Sequence, residues 1–393
     1  MSINHGGTIT IKPIKEVAAY RKNLIPANIP ETYALKPMFE DIASDENIRK
    51  GIVAFRDFLY LFCDCLATGG HEFAKPPKKP KSIDDYPFLH NITNLLVEIG
   101  FHGKLAGRID SADFELACYS YDALIVTKIP SCTATIDENG KRKPPKISAS
   151  SAMECLRFLT FCGFVFKDAH TDMSIDFEAK TLAISETQAL KVLYPCNPIL
   201  LTGLKAMAIA DIELRATRRY WNDNNLLRCD YRALMAENPN MLDVLKDFLH
   251  PLPVKLQDFA TKLHQRHIDM GLTCATSIRG DVNFAYSYVK NSRRVLSSQD
   301  IYAQRIWEFS YSIRDGYCIF VRAKKTDKYR DVIENFPSFL REKIARGYGC
   351  DRKLHNERCQ GGCKGICIPL DDTMLSISKD IETWLDNEVK QFQ

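Results

Sequence analysis

The 393-residue chain is 45% hydrophobic, 26% charged and 10% aromatic, an ordinary globular composition long enough for two or three cores. Its 53 lysines and arginines against 49 aspartates and glutamates leave a formal charge of only +4. That excludes nucleic-acid binding by bulk charge, so any basic surface must come from clustering.

The opening MSINHGGTITIKPIKE has no apolar core and no cleavage site, so export is not expected. KPIKEVAAYRKNL and then ENIRKGIVAFRDFLYLFCDCLA read as helices. The second carries Ile48, Ile52, Val53, Phe55, Phe58, Leu59 and Phe62 at helical spacing. Arg56, Asp57 and Asp64 interrupt this most apolar run, which argues for a buried amphipathic helix and against a membrane span. KPPKKPKS follows as an extended linker, so a helical region 1–74 and a linker 75–83 are expected.

The region 84–221 contains an internal echo. ITNLLVEIGF reads as a helix stopped by Gly100, and ACYSYDALIV as a strand. SSAMECLRFLTFCGF repeats the helix, closed by Gly163 with Ser148 or Ser150 as its cap, and TLAIS reads as the second strand. Helix, Gly-Phe, strand pair is the outline of a winged helix, but also of any α+β unit in which a helix feeds a hairpin. Arg157 is the one basic residue of the second helix, which favours the generic α+β form. CNPILLTGLKAMAIADIELRATRRYW is expected as a long helix with Asn197 as cap and Pro198 in the first turn.

The last region, 222–373, opens with the amphipathic helix KLQDFATKLHQRHIDMG. Three strands follow, NFAYSYVK, IWEFSYSI and YCIFVRA, the last two joined by a tight turn at Arg314-Asp315-Gly316. Thr326 is expected to cap DKYRDVIENF, SFLREKIARGYG follows Pro337, and a helix over 374–393 closes the chain. The fold class that results is α+β: a helical N-terminal region, a middle helix-plus-hairpin region, and a C-terminal antiparallel sheet covered by helices.

The sharpest chemical signal is CDRKLHNERCQGGCKGICIP within segment 350–367. Cys350, Cys359, Cys363 and Cys367, or three of them with His355, can close a tetrahedral zinc site, and Gly361, Gly362 and Gly365 let the backbone turn between ligands. The C-x3-C-x3-C spacing departs from the radical-SAM cluster pattern, and a disulfide fits poorly in a reducing compartment. The other ten of the 14 cysteines are scattered and read as small reduced hydrophobes of a cytoplasmic protein. His264 and His267 lie three apart on one helix, but no glutamate completes H-E-x-x-H, so packing histidines are expected.

Phe284, Tyr286 and Tyr288 share one strand face, and Trp307, Phe309 and Tyr311 another. Such faces either pack under helices or stack nucleobases. Arg293, Arg294, Arg322, Lys324 and Lys325 flank them and are the candidate nucleic-acid contacts. KRKPPK reads as solvated loop charge. No phosphate loop, dinucleotide fingerprint, nucleophile elbow or spaced carboxylate pair occurs.

From IWEFSYSIRDGYCIFV to CQGGCKGICIPLDD the chain resembles uncharacterised bacterial proteins. The resemblance implies a cytosolic bacterial protein and no particular activity. The leading functional expectation is a non-enzymatic binding or regulatory protein with structural zinc and nucleic acid as first candidate partner. An enzyme with a pocket between the middle and C-terminal regions, and a structural interaction module, are the alternatives.

Overall fold

A computed structural model describes residues 9–120, 135–136, 142–143, 149–175, 177, 189–217, 226–276, 282–288, 305–323, 325–346 and 366–393. The fold is α+β, with antiparallel sheets in two compact units, Met1–Asn238 and Pro239–Gln393. Residues 1–74 and 84–221 thus belong to one unit. No helix among the described residues is long and apolar enough to cross a membrane.

The first unit is built on α1 (Ile14–Lys22), α2 (Asp45–Phe73), α3 (Pro87–His102), α4 (Ala149–Phe161) and α5 (Leu200–Thr217). Helix α2 starts where Ser44 accepts a hydrogen bond from the Asn47 amide at 3.4 Å, with Asp45 and Glu46 favourably placed at the positive end of the helix dipole. Ile48, Ile52, Phe55, Phe58, Leu59 and Phe62 are all buried, as the helical spacing requires. Residues 75–82 form neither helix nor strand.

Gly100 does not stop α3. The helix continues to His102, and Gly100 is needed for packing: a Cβ there would sit 2.6 Å from Ala208 Cβ and 2.7 Å from the Leu204 carbonyl oxygen of α5. The C-terminal end of α3 is instead held from α5 by Lys205, whose Nζ donates to the Gly103 carbonyl at 2.7 Å.

Both helix–strand echoes feed one sheet. Strands β1 (Lys104–Ala106) and β2 (Glu115–Ser120) follow α3, and β5 (Val165–Asp168) and β6 (Ala189–Leu193) follow α4. The order is β1-β2-β6-β5, antiparallel throughout, so the two halves meet at the β2–β6 pair. Among the described residues, strands β3 (Thr135–Ile136) and β4 (Arg142–Lys143) pair with each other. The expected strand TLAIS and Ser148 lie outside the described residues. Ser150 falls within the first turn of α4, and Gly163 takes φ +100° where the chain turns out of that helix into β5.

The second unit begins with α6 (Met241–Leu249), capped by Asn240, and α7 (Val254–Asp269). Its sheet joins β7 (Thr273–Thr276), β8 (Val282–Ser287), β9 (Trp307–Ser312), β10 (Gly316–Val321) and β11 (Ile366–Pro369) in the antiparallel order β11-β10-β9-β8-β7. The β9–β10 turn forms as expected. Gly316 takes φ +64°, and Ser312 Oγ accepts from the Asp315 amide at 3.0 Å.

Short helices α8 (Arg330–Glu334), α9 (Ser338–Arg346) and α10 (Asp372–Ser376) precede the closing helix α11 (Ser378–Lys390). Thr326 does not cap α8. It opens a short 3-10 turn, Thr326–Tyr329, and its hydroxyl bonds back to the Ala323 carbonyl.

Candidate functional site

Alternation along the strands gives the C-terminal sheet two different faces. On one, Phe284, Tyr286, Trp307, Phe309, Ile319, Val321, Ile366 and Ile368 are buried, and Tyr286 stacks on Trp307 with centroids 3.8 Å apart and planes 4° from parallel. This aromatic face is core. It has no exposed ring to offer a nucleobase, so the stacking use weighed from the sequence does not apply to these residues. Tyr288 lies just beyond β8 and does not extend the strand.

His264 and His267 pack against this core from α7 and serve different partners. His264 Nδ1 is 2.7 Å from the Tyr286 hydroxyl, and burial together with the nearby His267 lowers its pKa. His267 is fully buried, edge-on to Trp307, with Nε2 3.3 Å from Asp386 Oδ1 of α11. Asp386 also takes a forked hydrogen bond from Arg266. The pair is a helix-to-helix tie. Among the described residues, no group of three or more His, Cys, Asp and Glu gathers as a metal cage.

Asp386 carries a pH signature. Burial pushes its carboxyl up, yet the hydrogen bonds from His267 and Arg266 outweigh burial and hold it at about 2. A folded-state pKa below the unfolded value contributes stability above about pH 4, and that stability is lost as pH falls towards about 2. Discounted for solvent screening, the contribution is about 1–2 kcal/mol. Asp386→Asn should therefore unfold more easily than the parent at pH 6, with the gap closing by pH 2. Urea midpoints across that range measure it, and a constant gap would refute the assignment.

The opposite face of the sheet is polar and chemically richer. Glu308 of β9, only 4% exposed, meets Arg305 at 2.8 Å and Arg322 at 3.1 Å. Beside it lie Ser310, Cys318 of β10 and Cys367 of β11. Cys318 is fully buried, while Cys367 is half-buried on the outer strand. The register makes the two thiols diagonal neighbours on this face, and Cys318 Sγ reaches the Ser310 carbonyl at 3.7 Å. The neighbouring Cys367 thiol, followed by burial, raises the Cys318 pKa, and Cys318 in turn draws the Cys367 thiol below its ordinary value. Elsewhere burial pushes thiols up, as at Cys63 and Cys274, each to about 12.

Of the five candidate zinc ligands, Cys367 is placed on β11, while Cys350, His355, Cys359 and Cys363 lie outside the described residues. Arg293, Arg294 and Lys324 lie outside them too. Arg322 is engaged with Glu308, and Lys325 sits with its ammonium 5.9 Å from the Phe392 ring centroid. Residues that spacing did not single out are Glu308, Asp386 and Cys318. Cys318 sits within an apolar strand, and only the β10–β11 register brings it beside Cys367.

An open depression of about 660 Å³ on α7 and α11 is lined by Lys262, Gln265, Arg266, Asp269, Met270, Asp386 and Lys390. Its mixed charges favour no one ligand class. Compared with family models, curated proteins and solved structures, the chain shows no match.

Proposed function

We propose that this chain is a cytoplasmic, non-enzymatic binding or regulatory protein whose C-terminal unit is stapled by a structural zinc, with nucleic acid as its partner. The observation that carries the zinc reading is Cys367. It is half-buried at the sheet edge, its thiol is drawn down by Cys318, and the cysteine-rich run leads directly into its strand. Cys350, Cys359, Cys363 and His355 are the donors to complete a closed tetrahedral site, which would fix a glycine-rich segment with little apolar content.

A binding role is supported by the fate of the reactive groups. The buried thiols of Cys63, Cys155 and Cys229 hold their protons, and both helix histidines are committed to structural partners. The nucleic-acid reading rests on Arg293, Arg294, Lys324 and Lys325 flanking β8 and β10 in sequence. With the aromatic face filled, these cations would contact phosphates, and recognition would be independent of base sequence.

Protein purified without chelator should carry about one zinc per chain, and Cys359→Ser with Cys363→Ser should abolish it. Zinc well below one equivalent, unchanged by that double substitution, would sink the zinc reading. Affinity for duplex DNA should fall with salt at a logarithmic slope of about −3 to −4 for four phosphate contacts. Replacing the four cations by glutamine should remove that slope, whereas no binding at low salt would reject this partner.

A further inference from the structure

We propose that the first unit carries a docking surface for an anionic lipid bilayer, formed by the lysines of KPPKKPKS and the exposed ring of Phe161. Lys75, Lys78, Lys79 and Lys81 are all exposed, while Pro77 and Pro80 between them are half-buried. With both flanks in one unit, the stretch is a strap on that unit's surface. It shares no residue with the cations assigned to nucleic acid.

The strap is held at both ends. Phe73 and Phe88, on either side of it, lie 6.3 Å apart by ring centroid, and each packs edge-on against Phe158 of α4 at 5.3 Å. The Tyr86 hydroxyl donates to the Lys12 carbonyl at 2.8 Å, and the Lys12 amide to the Ile83 carbonyl at 2.7 Å. A charged segment fixed in this way loses little conformational freedom when it binds.

Its ammonium groups have no partner within the unit. Elsewhere Lys12 faces Glu16, Lys22 faces Asp64, Lys50 faces Glu46, and Lys167 and Lys191 face Asp172. Among the described residues none of the four strap lysines meets a carboxylate. Asp84 and Asp85 are turned to the strap's own Ser82 hydroxyl and Lys81 amide, each at 2.7 Å, which leaves Glu72 as the exposed acidic group beside it.

The apolar half of the surface comes from the same ring cluster. Phe161 at the end of α4 is 57% exposed, with its centroid 6.3 Å from that of Phe158. Its ring borders Gly69 of α2, where an added Cβ would lie 3.4 Å from it, one turn before Phe73 and the start of the strap. Leu61, 43% exposed, extends this face along α2. A duplex would offer phosphates to the lysines but nothing to a phenyl ring on the surface. A bilayer offers both an anionic headgroup plane and an acyl boundary beneath it.

Flotation of the full-length chain with vesicles tests this, using phosphatidylglycerol and phosphatidylcholine in equal parts, or phosphatidylcholine alone. The chain should bind the first and not the second, and high salt should weaken binding. At about fivefold per lysine near an anionic surface, glutamine at Lys75, Lys78, Lys79 and Lys81 together should weaken binding roughly several hundredfold. Phe161→Ser should weaken it about tenfold. A charge-matched control, glutamine at the exposed Lys246, Lys255, Lys262 and Lys328 of the second unit, should bind as the parent does. Absence of binding to the anionic vesicles, equal loss in strap and control variants, or a Phe161→Ser chain that binds like the parent overturns the inference. So does a strap variant that loses duplex DNA but keeps vesicles, which would assign these lysines to nucleic acid. Should Phe161→Ser not fold, Phe161→Trp decides: brominated acyl chains should quench its indole emission, and unquenched emission refutes the contact.

Discussion

Gly203→Ala should destabilise the first unit by about 3 kcal/mol or more, at or above the usual cost of overpacking a core. A Cβ on Gly203 of α5 would land on the carbonyl group of Gly51 in α2, and 2.8 Å from the Ile52 amide nitrogen. The reverse substitution meets the same wall: a Cβ on Gly51 would sit 2.6 Å from the Gly203 nitrogen and 2.8 Å from the Ile199 oxygen. Both obstacles are backbone, so no rotamer change relieves them. The helices would have to separate, and tightly packed apolar contacts along α2 and α5 would be lost with them.

Gly271→Ala is the matched control. Nothing lies within 4 Å of its added Cβ, but φ is +87°, so only a backbone cost of about 1–2 kcal/mol applies. Denaturant midpoints followed by circular dichroism compare the two. A Gly203→Ala loss no greater than that of Gly271→Ala would refute the close helix contact.

The same glycines show what sequence patterns can and cannot carry. Helices α2, α7 and α11 are legible because a long apolar stripe at helical spacing has few other uses, and the β9–β10 hairpin because Arg314-Asp315-Gly316 is turn chemistry. Gly100 misleads because a glycine at a helix end and a glycine under a crossing helix look alike until the partner helix is in place. Strands β5, β6, β7 and β11 are only four or five residues long, too short for alternation to stand out.

The candidate site divides along the same line. Cys367 is legible because its companions lie close in sequence, within one run of cysteines and glycines. Cys318 is hidden because a lone cysteine in YCIFV reads as core, and only pairing with β11 gives it a neighbour. Glu308, and with it the actual partner of Arg322, is hidden for a related reason. A charge on a strand suggests a solvent face, whereas here the two neutralise each other on a covered polar face, and Arg322 meets a carboxylate of its own chain.

Asp230→Ala should cost the first unit about 3–5 kcal/mol, the penalty for removing one partner of a buried ion pair. The Asp230 side chain is 2% exposed, and it holds Arg228 at 2.6 Å and Arg232 at 2.6 Å, whose side chains are 4% and 6% exposed. Without the carboxylate, two guanidinium groups remain in a site with little access to water. The same carboxylate fixes the turn between Leu226–Arg228 and Tyr231–Ala233. There Cys229 takes φ +49°, a strained setting for a residue with a side chain, and its Sγ reaches the Ile52 carbonyl of α2 at 3.6 Å. Losing Asp230 should therefore release both the turn and its tie to α2. The exposed pair Arg108–Asp110, 83% and 67% exposed, gives the comparison, and Asp110→Ala should leave the unfolding midpoint nearly unchanged. Replacing Arg228, Asp230 and Arg232 together by apolar residues should recover most of the loss, because the cost lies in taking one charge out of a buried cluster and leaving the others. Thermal unfolding of the single and triple variants checks this. A triple variant no more stable than Asp230→Ala would place the cost in the turn geometry instead.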